Sequence, residues 1–202
     1  MLTIVIQAGG ESRRMGQDKA LLPFLGRPLI ERVIQRVRSL GDEILITSNR
    51  AEDYGFLGLP LYSDLVPGRG ALGGLYTALF AASQPLVAVV ACDMPFVSPD
   101  LLGAQRQILL ETQADIAIPR SGEGLEPFHA VYRRQSCLPA IQAALQADRW
   151  RVDSWFSQVK VHILKSEEIQ RHDPRLLAFR NVNTPEELLE AENLARQIDP
   201  PG

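Results

Sequence analysis

A glycine-rich loop placed directly behind a short apolar run constrains this chain more than any other feature. Leu2 to Ile6 is continuously apolar, which predicts a buried strand of a parallel sheet. Gln7-Ala8-Gly9-Gly10-Glu11-Ser12-Arg13-Arg14-Met15-Gly16-Gln17-Asp18-Lys19 follows at once. Its glycines let backbone amides come close to a ligand. Arg13, Arg14 and Lys19 add positive charge beside them. A glycine loop after a first strand, with cations inside it, suits a polyphosphate. It is neither of the two commonest phosphate loops. A Walker A loop needs Gly-Lys followed by Ser or Thr, and here Gly16 precedes Gln17. The dinucleotide fingerprint needs Gly-x-Gly, and here Gly9 and Gly10 are adjacent.

The rest of the chain predicts strands alternating with helices. Pro28 to Leu40 carries Leu29, Ile30, Val33, Ile34 and Val37 at helical spacing. Glu43–Thr47 and Leu59–Tyr62 read as strands, Ala71–Ala82 as an apolar helix and Leu86–Ala91 as another buried strand. Ser98 can cap a helix whose first position is Pro99. Ala114–Ile118 and Phe128–Tyr132 are further strands, the latter paired antiparallel, and Gln135–Gln146 is helical. Val159–Leu164 is a late strand, and Thr184-Pro185-Glu186-Glu187 is a capping box opening a helix to Ile198. Such alternation predicts an α/β fold of three layers, α/β/α and Rossmann-like, with a mostly parallel sheet and an antiparallel strand. Ligands in such sheets bind at the carboxyl ends of the strands.

A chain of 202 residues, 46% hydrophobic and 22% charged, suits one domain spanning residues 1–202. The formal net charge of -3 argues against a general nucleic-acid binder but allows a locally positive phosphate site. Cys92 and Cys137 are the only cysteines, so neither a disulfide framework nor a zinc site is expected. No basic leader precedes the first apolar run, and no run approaches the roughly 20 residues of a membrane helix. A cytoplasmic protein with no membrane or nucleic-acid partner is predicted.

Pro67-Gly68-Arg69-Gly70-Ala71-Leu72-Gly73-Gly74 is a second glycine cluster. Gly68, Gly70 and Gly73 match Gly-x-Gly-x-x-Gly, and Asp93 lies about 20 residues further on, as a ribose-binding acid would. A dinucleotide-binding oxidoreductase is therefore a rival reading. Against it, Ser63 to Pro67 separates the cluster from the preceding strand, and the first loop is left without a role. The other readings are a plain turn with a helix start, or glycines that let a base or ribose lie against the backbone.

Cys92-Asp93-Met94-Pro95-Phe96 follows the strand Leu86–Ala91. A carboxylate there faces the ligand crevice, and Mg²⁺ commonly uses one or two carboxylates with phosphate oxygens. Asp93 is the candidate metal ligand and Lys19 the candidate phosphate clamp, with Arg13 assisting. Cys92 reads as a small buried residue rather than a nucleophile. Asn49 and Asp64 lie just past strand ends and suit either a ribose or base contact or a turn. Asn181 and Asn183 follow the late strand, at the opening of the last helix, and share one face if the chain is extended there. They suit acceptor or metal contacts, or simply the approach to a cap. His129 lies beside the crevice or on the opposite face.

The loop Ala8–Lys19 resembles the signature of the molybdenum cofactor guanylyltransferases, and further motifs resemble that family in order over nearly the whole chain. They are Thr47-Ser48-Asn49-Arg50, Ser63-Asp64, Pro67–Gly74, Cys92 to Phe96, Glu126 to Arg133 and Asn181 to Glu186. The resemblance implies GTP and molybdopterin as substrates, Mg²⁺ as cofactor, and transient contact with cofactor-insertion or recipient enzymes. It implies nucleotide contacts at Ala8, Gly9, Gly10, Ser12, Arg13, Met15, Gly16, Lys19, Asn49, Asp64, Gly70 and Gly73. Lys19, Arg13 and Asp93 would be catalytic, and Asn181 and Asn183 would hold the acceptor. Related cytidylyl enzymes carry aspartates where this chain has Asn181 and Asn183, so a cytidylyl- or sugar-phosphate transferase is the nearest alternative. A nucleotide-binding module without catalysis is a further one. Gln7 stands where an apolar residue is common, which predicts that the strand stops at Ile6. Arg69 stands where proline is common, and residues 147–165 carry no transferable motif.

Overall fold

The computed structural model describes residues 1–8 and 18–198. The strands are β1 (Leu2–Gln7), β2 (Pro23–Phe24), β3 (Arg27–Pro28), β4 (Glu43–Thr47), β5 (Leu61–Tyr62), β6 (Leu86–Ala91), β7 (Ile116–Ser121), β8 (Gly124–Leu125), β9 (His129–Arg133) and β10 (Val161–Leu164). The helices are α1 (Leu29–Val37), α2 (Gly70–Ala81), α3 (Pro99–Glu111), α4 (Arg134–Gln146), α5 (Ser166–Gln170) and α6 (Pro185–Ile198). The main sheet runs β10-β7-β9-β6-β1-β4-β5, with β8 paired to the end of β7. β1 is parallel to β4 and β6, and β10 is parallel to β7. β9 alone of the long strands runs against its neighbours, β6 and β7. The expected antiparallel strand is therefore present, inside the sheet rather than at its edge.

Alternating side chains build the three layers. Leu2, Ile4 and Ile6 of β1 face α1 and α3, where they meet Ile30, Val33, Leu101 and Leu102. Val5, with Leu45, Val87 and Val89 of adjoining strands, faces α2 and α4 and meets Leu72, Leu75, Ile141 and Trp155. A third cluster joins α6 to this body through Val182, Ala191 and Ala195, packed with Phe24, Leu29 and Phe96. Burial of these apolar surfaces, at about 25 cal/mol per Å², is the main stabilising term.

Two helix starts form as their sequences dictate. Ser98 Oγ accepts from the Leu101 N–H at 3.1 Å, with Pro99 at the first helical position. Thr184 Oγ1 accepts from the Glu187 N–H at 3.1 Å, and Glu187 Oε2 accepts in return from the N–H groups of Thr184 and Asn183, at 3.2 and 2.6 Å.

Other expectations need correction. β1 continues through Gln7, because the ladders to Thr47 and Ala91 hold that residue in register whatever its side chain. β7 starts at Ile116 and runs to Ser121, and β10 begins only at Val161. The short hairpin β2-β3 and helix α5 were not expected. Between β10 and Asn181 come α5 and a turned segment in which the Arg180 N–H donates to the Leu177 carbonyl at 3.0 Å.

Candidate functional site

The carboxyl ends of β1, β4 and β6 meet at one edge of the sheet. The Ala8 N–H donates to the Thr47 carbonyl at 2.8 Å, and the Cys92 N–H donates to the Gln7 carbonyl at 3.1 Å. These bonds carry the ladders one step beyond the strands. They fix where the first loop leaves β1 and where the Cys92–Asp93 turn leaves β6. Ala8 is buried there.

Lys19 opens a single 3₁₀ turn, Lys19–Leu21, capped by Asp18, whose Oδ1 accepts from the Ala20 N–H at 3.0 Å. Lys19 Nζ donates to Asn183 Oδ1 at 2.5 Å and stands 3.9 Å from Asp93 Oδ2. Both charged side chains are about one-fifth exposed, at 19% and 20%. Burial pushes the Asp93 carboxyl above the usual carboxylate range, and the Lys19 ammonium pulls the other way. The Asp93 carbonyl accepts from the Val182 N–H at 3.0 Å, which ties the Asn181–Asn183 segment to the β6 turn. The structure thus brings Lys19, Asp93 and Asn183 together from three distant parts of the sequence.

Asn181 is placed differently from its neighbour. Its Oδ1 is buried with no hydrogen-bond partner among the described residues, whereas Asn183 Oδ1 is committed to Lys19. An unpaired buried acceptor costs about 1–3 kcal/mol, so a ligand that engages it is favoured. No cluster of three or more His, Cys, Asp or Glu that could hold a metal exists among the described residues. Beside Lys19 the Asp93 carboxylate offers hard oxygens at this edge. A single carboxylate fits a cation that takes few protein ligands and completes its shell with phosphate oxygens and water.

On the β4 side, Asn49 Nδ2 donates to Asp64 Oδ2 at 3.0 Å, so the two candidates form one unit. Gly70 begins α2 with φ +54°, a backbone conformation that favours glycine. A Cβ on Gly73 would stand 2.9 Å from the Val66 carbonyl oxygen. The cluster therefore needs its glycines for the path of the chain as well as for any ligand. It begins a helix but does not directly follow β5, as a dinucleotide fingerprint should follow its strand. Gly9, Gly10, Ser12, Arg13, Met15 and Gly16 lie outside the described residues.

His129 is not a crevice residue. It is fully buried in β9; its Nε2 accepts from the Ser98 N–H at 3.2 Å, and its ring meets Phe179 edge-on with centroids 5.3 Å apart. Burial lowers its pKa to about 4, so the ring is neutral near pH 7. Burial and the neighbouring Asp93 and Asp18 push the Cys92 thiol well above its usual range, which removes it as a nucleophile.

Two groups escaped the sequence reading. Asp18 Oδ2 accepts from Tyr54 Oη at 2.5 Å and from Arg50 Nη2 at 2.6 Å, so one carboxylate braces the Lys19 turn against the segment after β4. Its signal was its position next to Lys19 in the motif. Arg69 pairs with Asp148 at 2.6 Å and lies over the Trp150 ring at 4.4 Å, while Trp150 Nε1 donates to the same Asp148 oxygen at 2.8 Å. No local pattern linked the second glycine cluster to residues 148–150.

The family model described as a MobA-like NTP transferase domain matches residues 4–161. A probable molybdenum cofactor guanylyltransferase of Pelotomaculum thermopropionicum is 38% identical over 194 residues, covering 96% of this chain and 93% of that protein. A molybdenum cofactor guanylyltransferase of Desulfosudis oleivorans is 35% identical, covering 95% and 94%. Among solved structures, molybdopterin-guanine dinucleotide biosynthesis protein A from Archaeoglobus fulgidus matches with a TM-score of 0.83 at 24% identity, covering 97% of this chain and 100% of that one. A 2-C-methyl-D-erythritol 4-phosphate cytidylyltransferase from Thermus thermophilus matches with a TM-score of 0.65 at 22% identity, covering 95% and 98%. At those identities the two structures speak for the fold alone.

Proposed function

The chain belongs to the MobA-like NTP transferase family and within it to the molybdenum cofactor guanylyltransferases, and from that membership we propose how its own residues carry the reaction. The enzyme transfers GMP from GTP to the terminal phosphate of molybdopterin, giving the guanine dinucleotide cofactor and pyrophosphate. Cytidylyl transfer on the same fold is not favoured.

The observation that carries the proposal is the Lys19 ammonium, held between Asn183 Oδ1 and Asp93 Oδ2 at the carboxyl edge of the sheet. A phosphate oxygen of molybdopterin attacks the α-phosphorus of GTP, and the bond from that phosphorus to the β-phosphate oxygen breaks. The attacking oxygen is already anionic near neutral pH, so no proton must be moved. Positioning and charge stabilisation then supply most of the acceleration. Lys19 has three N–H donors and can meet phosphate oxygens while keeping Asn183. With Arg13 it neutralises charge on the departing pyrophosphate. Asn49, Asp64, Gly70 and Gly73 line the nucleotide side with Ala8, and Asn181 and Asn183 receive the acceptor. Asp93 would hold Mg²⁺, which when bound spreads the charge of the phosphate groups.

Pyrophosphate release tests this reading, measured with molybdopterin, Mg²⁺ and GTP, CTP, ATP or UTP in parallel. GTP alone is expected to support release. Asp93→Ala should abolish it at saturating Mg²⁺, and Lys19→Ala should slow it severely in a folded protein. Full activity in either variant would sink the assignment of roles.

A further inference from the structure

The chain leaves β6 through a stretch that is buried yet belongs to no strand or helix. Met94 to Ser98 are all buried, although connecting segments usually run on the surface, because their backbone polar groups need partners. This stretch meets that need in pieces. The Val97 N–H donates to the Met94 carbonyl at 3.1 Å and closes a four-residue turn with Pro95 at its second place. Proline has no N–H to satisfy, and its fixed φ suits that place. The Ser98 N–H donates to His129 Nε2 at 3.2 Å, and the Ser98 carbonyl accepts from the Leu102 N–H at 3.0 Å.

Two of the carbonyls are met by side chains of α1. Arg36 Nε donates to the Val97 carbonyl at 2.8 Å, and Arg32 Nε donates to the Pro95 carbonyl at 3.3 Å. The two arginines stand four residues apart and so lie one above the other on one face of the helix. Both are partly buried. The N–H groups inside a helix are spent on its own carbonyls, so a long side chain has to carry a donor from α1 to this turn. The turn is the one that presents Asp93, which comes directly before it and whose carbonyl accepts from the Val182 N–H at 3.0 Å.

We infer that Arg36, assisted by Arg32, is a positioning residue for the Asp93 carboxylate; the inference rests on the reading of Asp93 as the Mg²⁺ ligand given above. Each arginine acts by fixing the backbone just beyond Asp93. Mg²⁺ demands near-ideal octahedral geometry, so a carboxylate that shares it with phosphate oxygens gains from a fixed direction. If the turn loosens, ordering it is added to what binding the cation must overcome.

The test uses the full chain with Arg36→Met, which keeps the length of the side chain and removes its donors, and with Arg36→Lys, which keeps a charged donor. In pyrophosphate release with molybdopterin and GTP, the Mg²⁺ concentration for half-maximal rate should rise about tenfold in Arg36→Met, the lower end of what groups supporting a metal ligand usually give. KM for GTP at saturating Mg²⁺ should stay within about twofold of the wild type, because the nucleotide contacts are untouched. Arg36→Lys should recover part of the loss. Mn²⁺ binding with the α,β-methylene analogue of GTP, followed by electron paramagnetic resonance, should weaken by a similar factor without turnover. In the metal-free protein, the Val97 and Val182 amides should exchange hydrogen faster, by about tenfold. Arg32→Met loses the longer bond and should move each quantity the same way by less; it decides the matter where Arg36→Met does not fold. A lower melting temperature with wild-type Mg²⁺ dependence and Mn²⁺ affinity would mean a merely structural role and overturns this inference alone. If Asp93→Asn leaves Mn²⁺ affinity and Mg²⁺ dependence unchanged, the reading of Asp93 falls and this inference falls with it.

Discussion

Asn183 holds the Lys19 ammonium at 2.5 Å from 164 residues away along the chain. The amide oxygen is a neutral partner, so it orients the lysine without cancelling its charge. The other neighbour, Asp93 Oδ2, is 3.9 Å away and does offset that charge in part. The lysine is thereby aimed by one group and electrostatically balanced by another.

Removing the neutral partner should therefore cost rate rather than stability. Asn183→Ala is predicted to lower kcat on the order of 10- to 100-fold, the range expected when a catalytic cation loses its placement. The melting temperature should move little, because the Asn183 side chain is exposed. Asn183→Asp should also slow turnover, by pairing the ammonium with a second carboxylate. Steady-state kinetics on both variants decides this, and wild-type kcat in Asn183→Ala would refute it.

Asp93 should show a conflict between stability and activity. Its folded-state pKa is raised, chiefly by burial. The protonated form is thus favoured in the fold, and the stability it contributes is lost as pH rises from the unfolded value through the folded one. At neutral pH and without Mg²⁺ the wild type carries a buried carboxylate at a cost. Asp93→Asn should then melt higher than the wild type at pH 7, match it more closely near pH 3, and transfer no GMP. A lower melting temperature for Asp93→Asn at pH 7 would contradict this.

Asp18→Ala should lose more than one bond. Tyr54 is fully buried, and its hydroxyl would be left without its carboxylate partner. A buried donor left unpaired costs about 1–3 kcal/mol. The loss should appear in chemical denaturation, together with a fall in kcat because the Lys19 turn has lost its cap. Asp18→Asn, which retains an acceptor oxygen, should recover part of both.

His129 supplies an acid limit. Its pKa falls to about 4 in the fold, from an ordinary value of 6.5. The neutral ring is favoured, so its contribution is complete above pH 6.5 and is lost as pH falls toward 4. At 1.36 kcal/mol per unit, that amounts to about 3 kcal/mol. His129→Gln should be less stable than the wild type at pH 7 and lose less between pH 6.5 and 4. Parallel urea titrations across that range would show it.

Arg69→Ala should raise KM for GTP several-fold with little change in kcat. The guanidinium joins the start of α2 to Asp148 and Trp150, and an exposed ion pair by itself stabilises little. Its effect lies in holding the glycine cluster in place. Trp150 fluorescence should change when the arginine is removed.

The sequence made the sheet legible because parallel strands buried on both faces read as continuous apolar runs. Leu86–Ala91 was bounded to the residue for that reason. β8, β2 and β3 have two residues each and leave no periodic signal. Lys19 and Asp93 were readable because each belongs to a motif of its own, Asp93 two residues after β6 and Lys19 at the end of the glycine loop that follows β1. The separation between Asn181 and Asn183 was not readable. Two residues with one side chain and one spacing differ only in what the fold places against them. Asp18, Arg50 and Tyr54 were missed for a related reason: a carboxylate shared by two partners is a property of three segments at once.

The capping box at Thr184 and Glu187 has an architectural consequence. Glu187 Oε2 grips the Asn183 backbone N–H at 2.6 Å, so the last helix is a fixture for the lysine's orienting group. That fixture lies beyond residues 4–161, the stretch matched to the NTP transferase domain. The lysine's orienting group is thus anchored by a segment outside the stretch that the family model covers. A change at the start of the last helix is therefore transmitted to the ammonium through one side chain.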